Sequence, residues 1–83
     1  MVYKIEYKSS VGKDLKKLEK KAIKRILNEL EKNLREKPNT GVPLSGQFKG
    51  LFKYRVGDYR IIYAKTITGV LILRIGHRSK IYK

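Results

Sequence analysis

The chain has 83 residues and a formal net charge of +14, from 21 Lys and Arg against 7 Asp and Glu. Its length predicts a single domain over residues 1–83 with a modest core. The absence of Cys excludes disulfides and thiolate metal sites, and one His cannot build a zinc site. No apolar run approaches the ~20 residues of a membrane span and no signal-peptide pattern is present, so we expect a cytoplasmic protein with no membrane partner.

The acids are unevenly placed along the chain, so we expect polyanion binding to concentrate in the C-terminal half. Six of the seven acids lie in residues 1–36, whereas residues 41–83 hold nine Lys or Arg and one acid, Asp58. Hydrophobic residues make up 41% of the chain and recur in clear periods, which favours a folded domain over disorder. A folded and strongly basic domain is typical of proteins that bind nucleic acid or an acidic protein.

The first elements predicted are a strand and then helix. Residues 2–8 alternate with a strand period, and Ser9 and Ser10 end that strand. From Val11 to Leu34 the apolar residues follow a helical period, for which Ser10 is the predicted N-cap.

The length of the helical segment is left open by the sequence. No Gly or Pro interrupts residues 13–37, so one long helix and two helices joined near residues 19–21 both fit. Pro38 ends the helix, and residues 39–50 are predicted to form a connecting loop.

Three antiparallel strands follow the loop. Gly57 and Asp58 form a predicted two-residue hairpin turn, and residues opposed across it share a face of the sheet. The turn pairs Val56 with Tyr59, Arg55 with Arg60 and Lys53 with Ile62. One face is therefore apolar and packs in the core, and its members are Phe52, Tyr54, Val56, Tyr59, Ile61 and Tyr63.

The next hairpin is predicted to turn through Ile67, Thr68 and Gly69, with Gly69 in the left-handed conformation. This register opposes Tyr63 to Leu73 and Ile61 to Ile75. A two-residue turn would instead bury two arginines among the apolar side chains. The hydrophobic pattern thus favours the three-residue turn, which collects cations on the opposite face of the sheet: Lys53, Arg55, Arg60, Arg74 and Arg78.

These cations predict a phosphate-binding surface, because guanidinium groups bind phosphate oxygens bidentately. The alternative is a solvated basic face that keeps a small protein soluble. Tyr82 is a candidate for stacking on an unpaired base, or a terminal aromatic packed on the body. His77 titrates near neutral pH, but strand parity puts it beside Tyr59, so a structural role is at least as well supported.

Several kinds of catalytic site are absent from the sequence. There is no Ser-His-Asp set, no pair of well-placed carboxylates, no glycine-rich phosphate loop and no cluster of metal-binding acids. We therefore expect no metal and no cofactor. RNA can be cleaved without either, because its own 2′-hydroxyl attacks the adjacent phosphate while cations stabilise the developing charge.

Three segments resemble the RelE/ParE toxin superfamily, and specifically its RelE branch: LSG at 44–46, GLFKYRVGDYRIIY at 50–63 and GHRSKIY at 76–82. The likeness spans nearly the whole chain. It implies an α+β fold with an N-terminal strand, a two-helix hairpin and a three-stranded antiparallel meander in one curved sheet. The motif YRVGDYR marks the superfamily but does not separate its branches.

The resemblance also implies an activity, since RelE-like toxins enter the ribosomal A site and cut messenger RNA, leaving a 2′,3′-cyclic phosphate and a 5′-hydroxyl. Carried over by position, Arg60 and Arg78 would stabilise the phosphate. Lys53 and Arg55 would activate groups or stabilise charge, and Tyr82 would act as base or stack on a base. The residues expected to bind RNA around this site are Lys49, Arg74, His77 and Lys80.

One position departs from the family pattern. Arg55 stands where the family has a second Lys, and an arginine cannot readily lose a proton. The resemblance therefore leaves Tyr82 or Lys53 as the general base.

The resemblance further implies a partner, a short and partly disordered antitoxin that covers the basic face, and the +14 charge makes an acidic clamp physically reasonable. Two other functions stay open. One is a gyrase-poisoning toxin of the ParE type, which shares the fold without the RNA-cutting residues. The other is a non-catalytic basic protein that binds RNA or the ribosome. Arg60, Arg78 and Tyr82 favour the endonuclease.

Overall fold

The computed structural model describes residues 3–38 and 40–77. Its five strands form one mixed sheet in the order β1-β5-β4-β3-β2, in which β1 runs parallel to β5 and the other pairs are antiparallel. This confirms the predicted α+β class. In chain order the elements are β1 (Lys4–Tyr7), α1 (Ser9–Lys16), α2 (Lys20–Glu29), a π-helical turn (Leu30–Leu34), β2 (Val42–Pro43), a 3-10 turn (Gly46–Phe48), β3 (Leu51–Val56), β4 (Tyr59–Lys65) and β5 (Gly69–His77).

The helical segment is a hairpin rather than one rod, as the family resemblance implies. α1 and α2 are separated where Glu19 takes an extended conformation, with ψ at 151°. One continuous helix over residues 9–34 would be about 39 Å long at 1.5 Å per residue. The longest dimension of the protein is 31 Å. Folding the segment back on itself lets both apolar stripes reach the same sheet.

Both helices pack on one face of the sheet and form the core there. Its helical members are Val11 from α1 and Ile26, Leu30 and Leu34 from the second helical stretch, and none is more than 1% exposed. The aromatic side chains of Phe52, Tyr54 and Tyr59 pack against it from the strands, which confirms the predicted apolar face. The buried cluster comprises Val11, Ile26, Leu30, Leu34, Val56, Ile61, Tyr63, Val70, Ile72 and Ile75.

The buried Tyr63 hydroxyl fastens the predicted loop to the sheet. It donates a hydrogen bond to the carbonyl of Pro38 (2.7 Å) and accepts one from the amide of Gly41 (3.0 Å). Burial raises the pKa of Tyr63, against the opposing effect of the Gly41 N–H, so the hydroxyl remains a proton donor. The anchored chain then pairs Val42 with Lys53 as the short edge strand β2, which the sequence did not predict.

The β3–β4 hairpin confirms its predicted register in every pair. Gly57 lies in the left-handed region at φ +59°, and the tight turn opposes Val56 to Tyr59 and Arg55 to Arg60. A residue at positive φ costs least when it is glycine, so this turn is specified locally.

The β4–β5 turn differs from the prediction. The backbone N–H of Thr66 donates a hydrogen bond to the Gly69 carbonyl (2.8 Å), and the Thr66 hydroxyl accepts one from the Gly69 N–H (3.0 Å). Thr66 and Gly69 therefore face each other, and only Ile67 and Thr68 lie in the turn. The predicted left-handed Gly69 is also wrong, because its φ is not positive. Glycine is required there for a different reason: a Cβ at this position would overlap the backbone carbonyl of Lys4 in the adjacent strand β1.

A β-bulge in β5 then corrects the register. Tyr63 pairs with Ile72, so the predicted pairing of Tyr63 with Leu73 is wrong. The neighbouring residue in β4, Ile62, pairs with Arg74, so Leu73 has no partner in β4. The predicted pairing of Ile61 with Ile75 is confirmed. The extra residue, Leu73, shifts the strand by one position and returns Arg74 to the cationic face, as bulges re-aim side chains.

Candidate functional site

A row of opposed positions crosses the sheet on the face away from the helices. Arg55 pairs with Arg60, and Arg60 pairs in turn with Gly76. Arg60 is half-buried, whereas Arg55 is exposed and turns its Nε toward the Gly57 carbonyl, to which it donates at 3.1 Å. This hydrogen bond directs the Arg55 side chain toward the turn, which eases the repulsion between two opposed like charges.

The adjacent row places an apolar residue between two cations. Ile62 lies between Lys53 on β3 and Arg74 on β5, and only 6% of its surface is exposed. The predicted register already sets Ile62 opposite Lys53 on this face, but the sequence does not predict that Ile62 is buried there. Ile62 thus forms an apolar floor beside Lys53 and Arg60, and a low local dielectric there would strengthen the interaction of these charges with a phosphate group.

Arg74 is held by an acid that sequence reasoning missed. Its Nε donates to Asp14 Oδ2 at 3.1 Å, and the same oxygen accepts the Ile75 amide at 3.0 Å. One turn earlier on α1, the Ser10 hydroxyl donates to the Leu73 carbonyl at 3.4 Å. The predicted N-cap role of Ser10 is therefore wrong, because α1 begins at Ser9 and Ser10 instead contacts β5.

Ser10 and Asp14 thus bind the backbone of β5 at the bulge residue Leu73 and two residues beyond it, at Ile75, past the stretch that β1 covers. Their spacing of four residues puts both on one side of α1. That spacing is visible in the sequence, but their partners are more than 60 residues away along the chain.

The structure separates two further predicted residues from these rows. His77 lies on the helix-facing side of β5, where its ring meets Tyr59 edge to face at 5.9 Å between centroids. This confirms the predicted neighbour of His77. Lys49 is exposed after the 3-10 turn, before β3 begins at Leu51. Arg78, Lys80 and Tyr82 lie outside the described residues, and their roles stay predictions.

The arrangement gives a face with Lys53, Arg55 and Arg60 close in register around an apolar floor. Such a face can bind a phosphate group and stabilise negative charge that develops on it. In the part of the chain that the structure describes, no three His, Asp or Glu side chains are grouped so as to hold a metal ion. No helix among the described residues is long and apolar enough to span a membrane.

Comparison with known proteins decides the family. The family model of the ParE toxin of the type II toxin–antitoxin system parDE matches residues 5–82. The chain is a type II toxin of the RelE/ParE superfamily. This confirms the resemblance found in motifs that lie mostly on β3, β4 and the end of β5.

Among curated proteins, the toxin is 31% identical over 86 residues to Toxin RelG of Mycobacterium tuberculosis, an alignment that covers 100% of this chain and 99% of RelG. Among solved structures, the toxin–antitoxin complex RelBE2 of the same organism matches with a TM-score of 0.88 and 29% identity, covering 96% of this chain and 95% of that one.

A more distant match shows the fold alone. A mutant of E. coli RelE, solved in complex with a peptide of its antitoxin RelB, matches with a TM-score of 0.75 and 21% identity. The alignment covers 99% of this toxin and 92% of that chain. The two-helix hairpin on a mixed sheet is thus a fold that this toxin shares with RelE.

Proposed function

We propose that this toxin is a ribosome-dependent, metal-free endonuclease that cleaves messenger RNA in the ribosomal A site and so inhibits translation. The observation that carries the proposal is the pair of rows that sets Arg55, Arg60 and Lys53 around the buried Ile62. The likeness to RelG and to RelBE2 supports it, since both carry RelE-type names.

The chemistry needs an internal nucleophile and charge stabilisation. The 2′-hydroxyl of the RNA loses its proton to a base and attacks the adjacent phosphorus. The bond to the 5′-oxygen of the next nucleotide breaks, and that oxygen takes up a proton. The products are a 2′,3′-cyclic phosphate and a 5′-hydroxyl. Arg60 and Arg78 would neutralise the charge that builds on the phosphate oxygens, which is worth roughly 10² to 10³ in rate for one well-placed donor.

The proton transfers fall to other side chains. Lys53 is half-buried beside Ile62, and Arg55 adds positive charge close by. Arg55 cannot readily give up a proton, so the base is Lys53 or Tyr82. Tyr82 could instead stack on a base of the substrate. Lys49, Arg74 and Lys80 are the cationic residues expected to hold the flanking RNA, whereas His77, the fourth predicted RNA contact, lies beside Tyr59 on the helix-facing side of β5.

The toxin would be restrained by an antitoxin encoded with it. RelBE2 is a complex of toxin and antitoxin, and RelE was solved with an antitoxin peptide. A short acidic segment over the basic face would neutralise part of the +14 charge and cover Arg60.

A second candidate is a gyrase-poisoning toxin, because the matching family model is that of ParE. Such a toxin needs the fold but not the row of cations. A toxin that binds RNA or ribosomes without cutting is the third.

The experiment that separates these functions is cleavage mapping of messenger RNA in a reconstituted translation reaction, with and without ribosomes. Wild type is compared with Arg60→Ala and Arg78→Ala. Arg35→Ala is the matched control, because Arg35 is an exposed arginine in a surface ion pair with Glu31, where such pairs contribute little.

Ribosome-dependent cuts that fall by about 10² or more in the two arginine variants, but not in the control, are the expected result. Circular dichroism should show that all variants remain folded. Intact RNA with wild type, together with inhibition of DNA supercoiling by gyrase, would favour the ParE activity. Intact RNA with neither effect would leave binding alone.

A further inference from the structure

A second basic surface lies on the other side of the molecule, along α2. A shallow groove of about 470 Å³ runs beside this helix, and its cations recur at the spacing of one helical face. Four cations and one carboxylate border it. The lining residues are Lys21, Lys24, Arg25, Asn28, Glu29 and Lys32.

The positive charge of this groove is only partly compensated within the part of the chain described. The ion pairs there join Arg35 to Glu31 and Arg74 to Asp14, and neither includes a groove cation. The Glu29 carboxylate accepts a hydrogen bond from the neutral Asn33 amide at 2.7 Å and offsets one of the four positive charges, which leaves the lining with a net charge of +3. The four cations are therefore open to a ligand that brings negative charge.

The groove reaches the cationic face of the sheet at the β3–β4 turn. A Cβ placed on Gly57 would lie 3.2 Å from Nη1 of Arg25, so the Arg25 guanidinium packs against this turn. On the same turn, the Gly57 carbonyl accepts Arg55 Nε at 3.1 Å. Arg55 and Arg25 thus approach the same turn from the two basic surfaces, and a polyanion that follows the end of the sheet from one to the other passes the turn's single carboxylate, Asp58.

The lining favours a nucleic acid over a protein. Protein interfaces are anchored by buried aromatic and apolar side chains, and none borders this groove. The large apolar side chains that are exposed in the described residues lie elsewhere, at Tyr7, Val42, Phe48 and Ile67. Interfaces with nucleic acid are more polar and more positive. From Lys21 to Lys32 the helix rises about 16 Å, enough to follow a backbone rather than one phosphate.

We propose that the α2 groove binds the phosphate backbone of a structured RNA, as a docking surface separate from the face that would cleave. The groove positions the toxin and touches no reacting atom. That this RNA is ribosomal RNA rests on the proposed function. That the groove binds structured RNA does not.

The test compares two pairs of substitutions that remove the same charge. Lys24→Ala with Lys32→Ala removes two cations from the groove, and Lys13→Ala with Lys16→Ala removes two exposed cations from α1. Alanine is the strongest helix former, so both double variants should fold. Binding to purified ribosomes and to an RNA hairpin is measured over a series of salt concentrations.

The groove variant should bind both RNAs on the order of tenfold more weakly, and the slope of log affinity against log salt should fall by about 2, one for each lost phosphate contact. The α1 variant should keep nearly the wild-type slope. In the cleavage reaction, the KM for ribosomes should rise in the groove variant while kcat at saturation is maintained.

Equal losses in the two variants would overturn the proposal, because they would reflect net charge alone. So would unchanged RNA affinity combined with weaker binding of poly-glutamate, which would mark the groove as a surface for an acidic protein. If wild type cuts no RNA but the groove variant still loses RNA affinity and salt slope, the proposed function fails and the docking surface stands.

Discussion

The two hairpins of the sheet form their shared cationic face in different ways. The β3–β4 hairpin is specified by its own residues, since Gly57 takes the positive φ that a two-residue turn requires and every predicted pair forms. The β4–β5 hairpin begins one residue out of the predicted register, and only the bulge at Leu73 restores the pairing that places Arg74 on the cationic face. Its strand β5 is also held from outside by β1 and α1.

The difference shows where each half of the cationic face is vulnerable. Arg55 and Arg60 depend on a local turn, so distant changes should leave their pairing intact. Arg74 and the end of β5 depend on residues far away in the chain, among them Lys4 and Asp14. Substitutions at those distant residues should therefore affect the second hairpin alone.

The largest effect is expected from Gly69→Ala. The new Cβ overlaps the Lys4 carbonyl, and backbone rather than a flexible side chain must move, so β1 cannot keep its pairing. We expect a loss of about 3 kcal/mol in the free energy of unfolding, measured in urea. Gly57→Ala, in the local turn, should cost only about 1 kcal/mol for its left-handed conformation. Equal costs would remove the distinction between the hairpins.

The next largest loss of stability is expected from Tyr63→Phe, at the residue of β4 where the pairing with β5 shifts by one position. The substitution leaves the buried Gly41 amide without its acceptor, and we expect a loss of about 2 kcal/mol at neutral pH. Above pH 10.0, the ordinary pKa of tyrosine, the unfolded chain loses the Tyr63 proton but the folded one, with its raised pKa, retains it. Unfolding then releases a proton, so rising pH destabilises wild type.

The variant lacks this titration, so its stability deficit should shrink as the pH rises above 10.0. Urea unfolding of both proteins at neutral pH and above that value measures the change. A deficit that stays constant would mean that the hydroxyl titrates alike in the folded and unfolded chains.

A smaller effect is expected from Asp14→Ala, which removes the acceptor of the Ile75 amide beside the bulge. Leaving that amide without a partner should cost about 1.5 kcal/mol. Glu31→Ala breaks the ion pair with Arg35, in which both side chains are exposed, and should cost at most about 0.5 kcal/mol. Hydrogen exchange should accelerate at Ile75 in the Asp14 variant and stay unchanged in β3. Acceleration throughout the sheet would contradict a local role for Asp14.

The candidate site follows the same division. Lys53, Arg55 and Arg60 were predicted on one face because alternation along a strand and a tight turn are local properties, and the structure places them there. Arg74 was predicted on that face from a three-residue turn, whereas the structure brings it there by a two-residue turn followed by the β5 bulge. The buried Ile62 and the tether from Asp14 were not predicted, because a strand pattern does not show what covers a face or which helix meets an edge.

The sequence by itself determined the α+β class, the apolar face that forms the core and the register of β3 with β4, because period and turn chemistry act over a few residues. Its motifs also determined the superfamily. The helical period left one helix or two open, and the family resemblance supplied the hairpin. Only the tertiary structure decided that β1 lies parallel beside Gly69 and that a bulge aims Arg74. Those features depend on contacts between distant segments, where available space and unpaired backbone groups select the outcome.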